Sequence, residues 1–168
     1  GGDLKCWGSI NYSIDSRSSG GNVLTPTAIV VAGVSFQSVS VWSYSSCAIA
    51  TNNDLYCWGG LATGYGTWGF GFINEYDPIL IGSGYSKVRL SEYFLAIKTD
   101  GSLYCGGCTS NVFAVVDSGV TYSDVQSYIN SGYGTFAALT TGGELKIWGW
   151  NPLAFGPMGN YSGPAAVT

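Results

Sequence analysis

The side chains of this chain that could do chemistry are five cysteines, ten acidic residues and six basic ones, with no histidine at all. Lack of histidine removes the usual general base, every histidine-containing nucleophile triad and most catalytic zinc sets. Cys105-Gly106-Gly107-Cys108 has the C-x-x-C spacing of a redox dithiol or half a zinc knuckle. Redox use calls for a helix N-terminus to lower the thiol pKa, and zinc calls for a second Cys or His pair. Neither is expected here, so Cys105 and Cys108 read as a local disulfide closing a loop. The carboxylates Glu75, Asp77, Glu92, Asp100, Asp117 and Asp124 are scattered, without the D-x-D-x-D spacing of a calcium loop. Solvated turn positions are their expected role. No catalytic residue, metal site or cofactor is expected, and the chain reads as a non-enzyme.

Binding chemistry has better candidates. Gly64-Tyr65-Gly66-Thr67-Trp68-Gly69-Phe70-Gly71-Phe72 alternates glycine with aromatic rings. Such a segment is either a loop that stacks on sugars or a partner protein, or a set of rings tucked between sheets. Tyr65, Trp68, Phe70 and Phe72, with Trp150, make up the candidate interaction loop. Of the six tryptophans, Trp7, Trp58 and Trp148 sit at one recurring position and are expected to pack, which leaves Trp42, Trp68 and Trp150 for binding. Asn11-Tyr12-Ser13 and Asn160-Tyr161-Ser162 fit the N-glycosylation pattern, so Asn11 and Asn160 are candidate acceptors and glycan a candidate partner.

The elements that position these residues are disclosed by an internal repeat. Asp3-Leu4-Lys5-Cys6-Trp7-Gly8 recurs as Asp54-Leu55-Tyr56-Cys57-Trp58-Gly59, Ser102-Leu103-Tyr104-Cys105-Gly106-Gly107 and Glu144-Leu145-Lys146-Ile147-Trp148-Gly149. The marker leucines are 51, 48 and 42 residues apart, periods typical of propellers and solenoids. Ala48, Ala96 and Ala138 each stand seven residues before a marker leucine. Thr51-Asn52-Asn53, Thr99-Asp100-Gly101 and Thr141-Gly142-Gly143 lie between the two and carry tight-turn chemistry, so each unit is a β-hairpin. A strand precedes each hairpin at Phe36, Tyr85 and Tyr122. Another follows a long loop, at Pro26, Pro78, Phe113 and Pro164. Four strands per repeat make a propeller blade. The expected fold is therefore all-β, a partial β-propeller of about three and a half four-stranded blades. One domain covers residues 1–168, divided at about 1–33 (a half blade), 34–82, 83–118 and 119–168.

Cys47 and Cys57 then face each other across a hairpin, close enough for a disulfide if the register places them opposite. Leu95 with Cys105 and Ala137 with Ile147 hold the same positions, so this bridge is structural. Cys6 would find its equivalent partner ten residues upstream, before residue 1, and is expected to form an upstream or interchain bridge.

The order aromatic-x-x-Val, Cys-Ala-Ile, Leu-Tyr-Cys-Trp-Gly, glycine-rich loop and Pro-x-x-Val resembles the regulator of chromosome condensation repeat, most closely over residues 35–59. The cysteines resemble a secreted branch. The resemblance implies a seven-bladed propeller, of which this chain supplies about half, so it reads as part of a longer propeller, a cleaved product or a subunit completed by another copy. After the Trp-Gly signature the family continues with Asn and a Gly-Gln-Leu-Gly turn. This chain instead has Ser9-Ile10-Asn11, Gly60-Leu61-Ala62 and Trp150-Asn151-Pro152, and the third repeat replaces Trp by Gly106. Activity in repeat proteins sits in such loops, so fold transfers better than function.

Only 10% of residues are charged, the net charge is -4, and no basic run occurs, which excludes a phosphate-tracking nucleic-acid surface. No apolar run exceeds strand length, so no membrane insertion is expected. Five cysteines among many Gly, Ser and Tyr residues point to an extracellular or cell-surface location. The leading expectation is a structural or adhesive module that self-associates into an appendage, sheath or filament. The alternative is a soluble secreted protein-binding propeller, an inhibitor or recognition factor. Its partners are then protein: other copies of itself or the remainder of a longer chain.

Overall fold

Short apolar stretches punctuated by glycine and tight turns leave no room for a helix, and the chain folds accordingly. A computed structural model describes residues 2–10, 21–42, 45–60, 74–106, 114–130, 133–151 and 159–166, and among them are fourteen β-strands and no helix. Hence no helix among the described residues is long and apolar enough to cross a membrane.

β1 (Leu4–Ile10) and β2 (Gly21–Ile29) form a two-stranded antiparallel sheet, the half blade. Blade 1 is the meander β3 (Phe36–Trp42), β4 (Ser45–Ala50), β5 (Leu55–Gly60), β6 (Asn74–Gly82). Blade 2 repeats it with β7 (Tyr85–Leu90), β8 (Phe94–Lys98), β9 (Leu103–Gly106), β10 (Ala114–Val115). Blade 3 follows with β11 (Tyr122–Asn130), β12 (Tyr133–Thr140), β13 (Leu145–Asn151), β14 (Gly159–Ala166). Neighbouring blades meet along their first two strands, β3 and β4 on β7, then β7 and β8 on β11, so the first strand of each blade is the inner one.

The central hairpins are built as their turn residues require. Asn53 (φ 67°), Gly101 (φ 86°) and Gly143 (φ 86°) occupy the left-handed region at the third turn position, which glycine and, among other residues, asparagine tolerate best. That conformation also aims the carbonyl at the next blade. The backbone N–H of Phe36 donates to the Gly2 carbonyl at 3.1 Å, Tyr85 to Asn53 at 2.9 Å, and Tyr122 to Gly101 at 2.8 Å. The aromatic residue opening each inner strand is thereby tied to the blade before it.

Side chains alternate about each blade, so every sheet has one face toward the blade before and one toward the blade after. Cys47, Ile49, Leu55 and Cys57 of blade 1 are covered by Tyr85, Val88, Leu90, Phe94 and Ala96 of blade 2. Leu95, Ile97, Leu103 and Cys105 of blade 2 are covered by Tyr122, Val125, Phe136, Ala138 and Trp148 of blade 3. Leu4 and, half-buried, Cys6 and Ile29 of the half blade lie against Phe36, Ala48, Ala50 and Trp58. The core is thus a series of equivalent inter-blade layers.

The Trp-Gly signature marks a β-bulge. Register shifts fall between Cys6 and Gly8, Cys57 and Gly59, and Ile147 and Gly149, and the three glycines have φ of 118°, 96° and 94°. The tryptophan before each glycine stays on the face toward the preceding blade. Trp58 and Trp148 are buried there, and Trp148 stacks on Phe136 with centroids 5.3 Å apart. Their buried indole N–H groups have no acceptor, so packing is their role. Trp7, at the same repeat position on β1, is 60% exposed.

Candidate interaction surface

The expected cysteine geometry begins with the register. Cys47 pairs with Cys57 in the β4–β5 ladder, their Cα atoms 4.1 Å apart, and the two form a disulfide. Leu95 stands opposite Cys105 and Ala137 opposite Ile147. Cys105 is disulfide-bonded, while Cys108, its expected partner, lies outside the described residues. Cys6 is half-buried in the layer between half blade and blade 1.

Of the candidate interaction loop, Tyr65, Trp68, Phe70 and Phe72 lie outside the described residues, as does Asn11. Trp150 lies in β13 and pairs with Asn160 of β14, which puts the second glycosylation candidate on a last strand rather than in a loop. Trp42 was expected to bind, yet it packs on the layer between blades 1 and 2. The period-two pattern of β3 turns it toward β7.

Two acidic residues are anchors rather than solvated turn positions. Asp117 accepts a hydrogen bond from the Tyr122 hydroxyl at 2.8 Å and from Lys146 Nζ at 3.0 Å. Burial pushes its carboxyl up, but those two donors and the lysine charge outweigh burial and hold it below the ordinary range. The same burial and the Asp117 charge raise the Tyr122 hydroxyl well above its usual value. Asp124 accepts from Lys87 Nζ at 2.9 Å, with Arg89 at 4.0 Å, linking the inner strands of blades 2 and 3. Its carboxyl too is raised by burial and lowered further by Lys87, the Val125 N–H and Arg89, for a net fall. Asp100 keeps its turn role, with the Ser102 N–H donating to Oδ1 at 2.9 Å. Sequence reasoning missed both ion pairs because each joins residues far apart in the chain, Asp117 in the bend after β10 with Lys146 of β13, and Lys87 of β7 with Asp124 of β11. No cluster of three or more metal-ligating side chains occurs among the described residues. A groove of about 230 Å³ between half blade and blade 1 is lined by Leu4, Ala28, Ile29, Val30, Val34 and Phe36, with Gly2 and Asp3 at its edge. Its lining offers no acid–base pair.

What the molecule offers is uncovered inter-blade surface. Leu139 and Leu145 of blade 3 occupy the positions of Ile49 and Leu55 in blade 1 and of Ile97 and Leu103 in blade 2. Those four are at most 1% exposed, whereas Leu139 and Leu145 are each 40% exposed, and Tyr128 of β11, opposite Thr135, is 68% exposed. The Gly143 carbonyl, equivalent to those of Asn53 and Gly101, meets no backbone donor among the described residues. At the other end Trp7, Val39 and Val41 are uncovered, at 60%, 49% and 56%.

No family model and no curated protein matches the sequence. Solved structures do match. Human WBSCR16 aligns with a TM-score of 0.69 at 18% identity, over 89% of this chain and 44% of that one. Yeast RCC1 (Prp20), in a crystal structure bound to Kap60, aligns with a TM-score of 0.67 at 16% identity, over 90% of this chain and 41% of that one. The chain spans less than half the length of either. Blades, bulged Trp-Gly strands and inter-blade ties together give this chain the β-propeller fold of the regulator of chromosome condensation proteins, in partial form.

Proposed function

We propose that this chain is an extracellular or cell-surface structural propeller module whose work is protein binding, foremost to further copies of itself in an appendage, sheath or filament. The observation that carries the reading is the Cys47–Cys57 disulfide set in a β-propeller, a scaffold that presents loops and faces for protein binding. The Cys47–Cys57 disulfide supports an oxidising location. A second reading, a soluble protein-binding propeller, draws support from yeast RCC1, a fold neighbour bound to Kap60.

The test is the assembly state of native, non-reduced material, by mass spectrometry and negative-stain imaging of one sample. Ordered polymers are the expected result. A compact monomer at every concentration would overturn self-association and leave the soluble binder.

A further inference from the structure

The Cys47–Cys57 bridge lies inside the molecule rather than on the surface of its hairpin. Both residues are at most 1% exposed. Their cover comes from the next blade, from Tyr85, Val88 and Leu90 of β7 and Phe94 and Ala96 of β8. Trp42, Ile79 and Ile81 of blade 1 pack at the margin of the same layer. The Tyr85 N–H donates to the Asn53 carbonyl and the Leu90 N–H to Ser40 Oγ, each at 2.9 Å, so backbone ties as well as apolar side chains hold blade 2 over the sulfurs. Thiol exchange needs a thiolate at one of those sulfurs. An anion in an apolar layer, without water or a hydrogen-bond donor, is costly enough that attack requires the layer to open.

We propose that separation of blade 2 from blade 1 is the gate for thiol exchange at Cys47–Cys57, so that the bridge is inert to reductant in the closed molecule and is reduced through an opening that leaves blade 3 packed on blade 2. The inference goes beyond the function proposed above and does not depend on self-association. Its local character follows from the architecture. The layer between blades 1 and 2 and the layer between blades 2 and 3 are separate apolar clusters, and stability in a repeat fold is close to a sum of nearest-neighbour terms, which allows one layer to open while the next stays closed. With dithiothreitol as reductant the chemistry in the opened layer is defined. One dithiothreitol thiolate attacks a cystine sulfur, the S–S bond breaks, and the other sulfur leaves as a thiolate. The second dithiothreitol thiol then displaces the first cysteine and closes a cyclic disulfide. Two electrons pass to the bridge, the two dithiothreitol protons end on the cysteine thiols, and dithiothreitol is oxidised.

The test follows reduction of the full chain by dithiothreitol at graded urea below the unfolding transition. Samples are quenched with iodoacetamide and mapped by peptide mass, which reads Cys47 and Cys57 apart from the other cysteines. A synthetic peptide of residues 45–60, closed by the same bridge, gives the rate for an exposed cystine. The expected result is reduction of the native chain about a hundredfold or more slower than that of the peptide, with a rate that rises exponentially with urea. Two variants locate the opening. Phe94 and Phe136 are 0% and 4% exposed, the first in the layer between blades 1 and 2 and the second in the layer between blades 2 and 3. Phe94→Leu is expected to speed reduction about five- to tenfold, because the lost packing is packing that the opening breaks, and Phe136→Leu is expected to change it by less than about twofold. Reduction of the native chain at the peptide's rate, independent of urea, would overturn the gate without recourse to any variant. Equal acceleration in Phe94→Leu and Phe136→Leu would make unfolding of the whole chain the route and overturn the local opening.

Discussion

Replacing Gly149 by alanine tests the account of the Trp-Gly bulge. The residue has φ +94°, and a Cβ built there would collide with the Gly134 carbonyl oxygen and lie 2.9 Å from Cδ2 of Phe136. Three costs follow. The backbone conformation is worth about 1–2 kcal/mol against an L-residue. Relief of the clash requires β13 to withdraw from β12 where Thr135 pairs with Gly149, at about 1 kcal/mol for a weakened ladder bond. Displacement of Phe136 disturbs its contact with Trp148, for about another 1 kcal/mol. The total is about 3–4 kcal/mol. Gly143→Ala is the matched control: φ is +86° but nothing lies within 4 Å of the added methyl, so only the conformational cost of about 1–2 kcal/mol applies. Urea unfolding of both variants, followed by tryptophan fluorescence, gives the difference through midpoints at unchanged slope. Equal losses in the two variants would refute the claim that close approach of β12 and β13 requires glycine in the signature.

Removing the Cys47–Cys57 bridge as the double alanine variant is expected to cost about 2–3 kcal/mol without loss of fold, since Ala137 and Ile147 fill the same positions in blade 3; thermal unfolding with and without reductant reads it. Asp117→Asn leaves Lys146 without its carboxylate and is expected to cost about 2 kcal/mol, seen in urea midpoints at pH 7. The depressed carboxyls of Asp117 and Asp124 contribute stability that is fully present above the unfolded value and lost as pH falls through the folded one. The native chain should therefore weaken below about pH 4, and Asp117→Asn should weaken less steeply there. The raised Tyr122 hydroxyl works the other way, with stability lost as pH rises above about 10 and that loss absent in Tyr122→Phe. Lys87→Ala breaks a pair whose side chains are 37% and 40% exposed, so it should cost under about 1 kcal/mol, with less effect in high salt by equilibrium unfolding.

The strands were legible because a propeller repeats its local instructions. The turn residue near Asn53, the marker leucine and the alanine seven residues before it recur with fixed spacing, and that spacing alone set the register that brings Cys47 opposite Cys57. Within one strand, period-two alternation decides which face a residue occupies, so the inter-blade layers were in principle readable. What alternation does not carry is whether a neighbouring blade is there to cover the face. Trp7 and Trp148 have the same motif and the same orientation within their blades, yet one is 60% exposed and the other 3%. Asp117 and Asp124 were misread for a related reason, since their partners Lys146 and Lys87 are 29 and 37 residues away and no local pattern joins them.

That distinction also locates the functional information. A residue that departs from its repeat equivalents in type, such as Gly106 in place of tryptophan, changes packing within a layer. A residue that keeps its type but departs in burial, such as Val41, Leu139 or Trp7, has no covering blade among the described residues. In all three the side chain is what an inter-blade layer requires, and only the covering element differs. An apolar residue retained at an exposed repeat position costs the folded chain solubility and adds no internal packing there. Its side chain meets the requirement of the layer, and its exposure reflects which covering elements are present among the described residues.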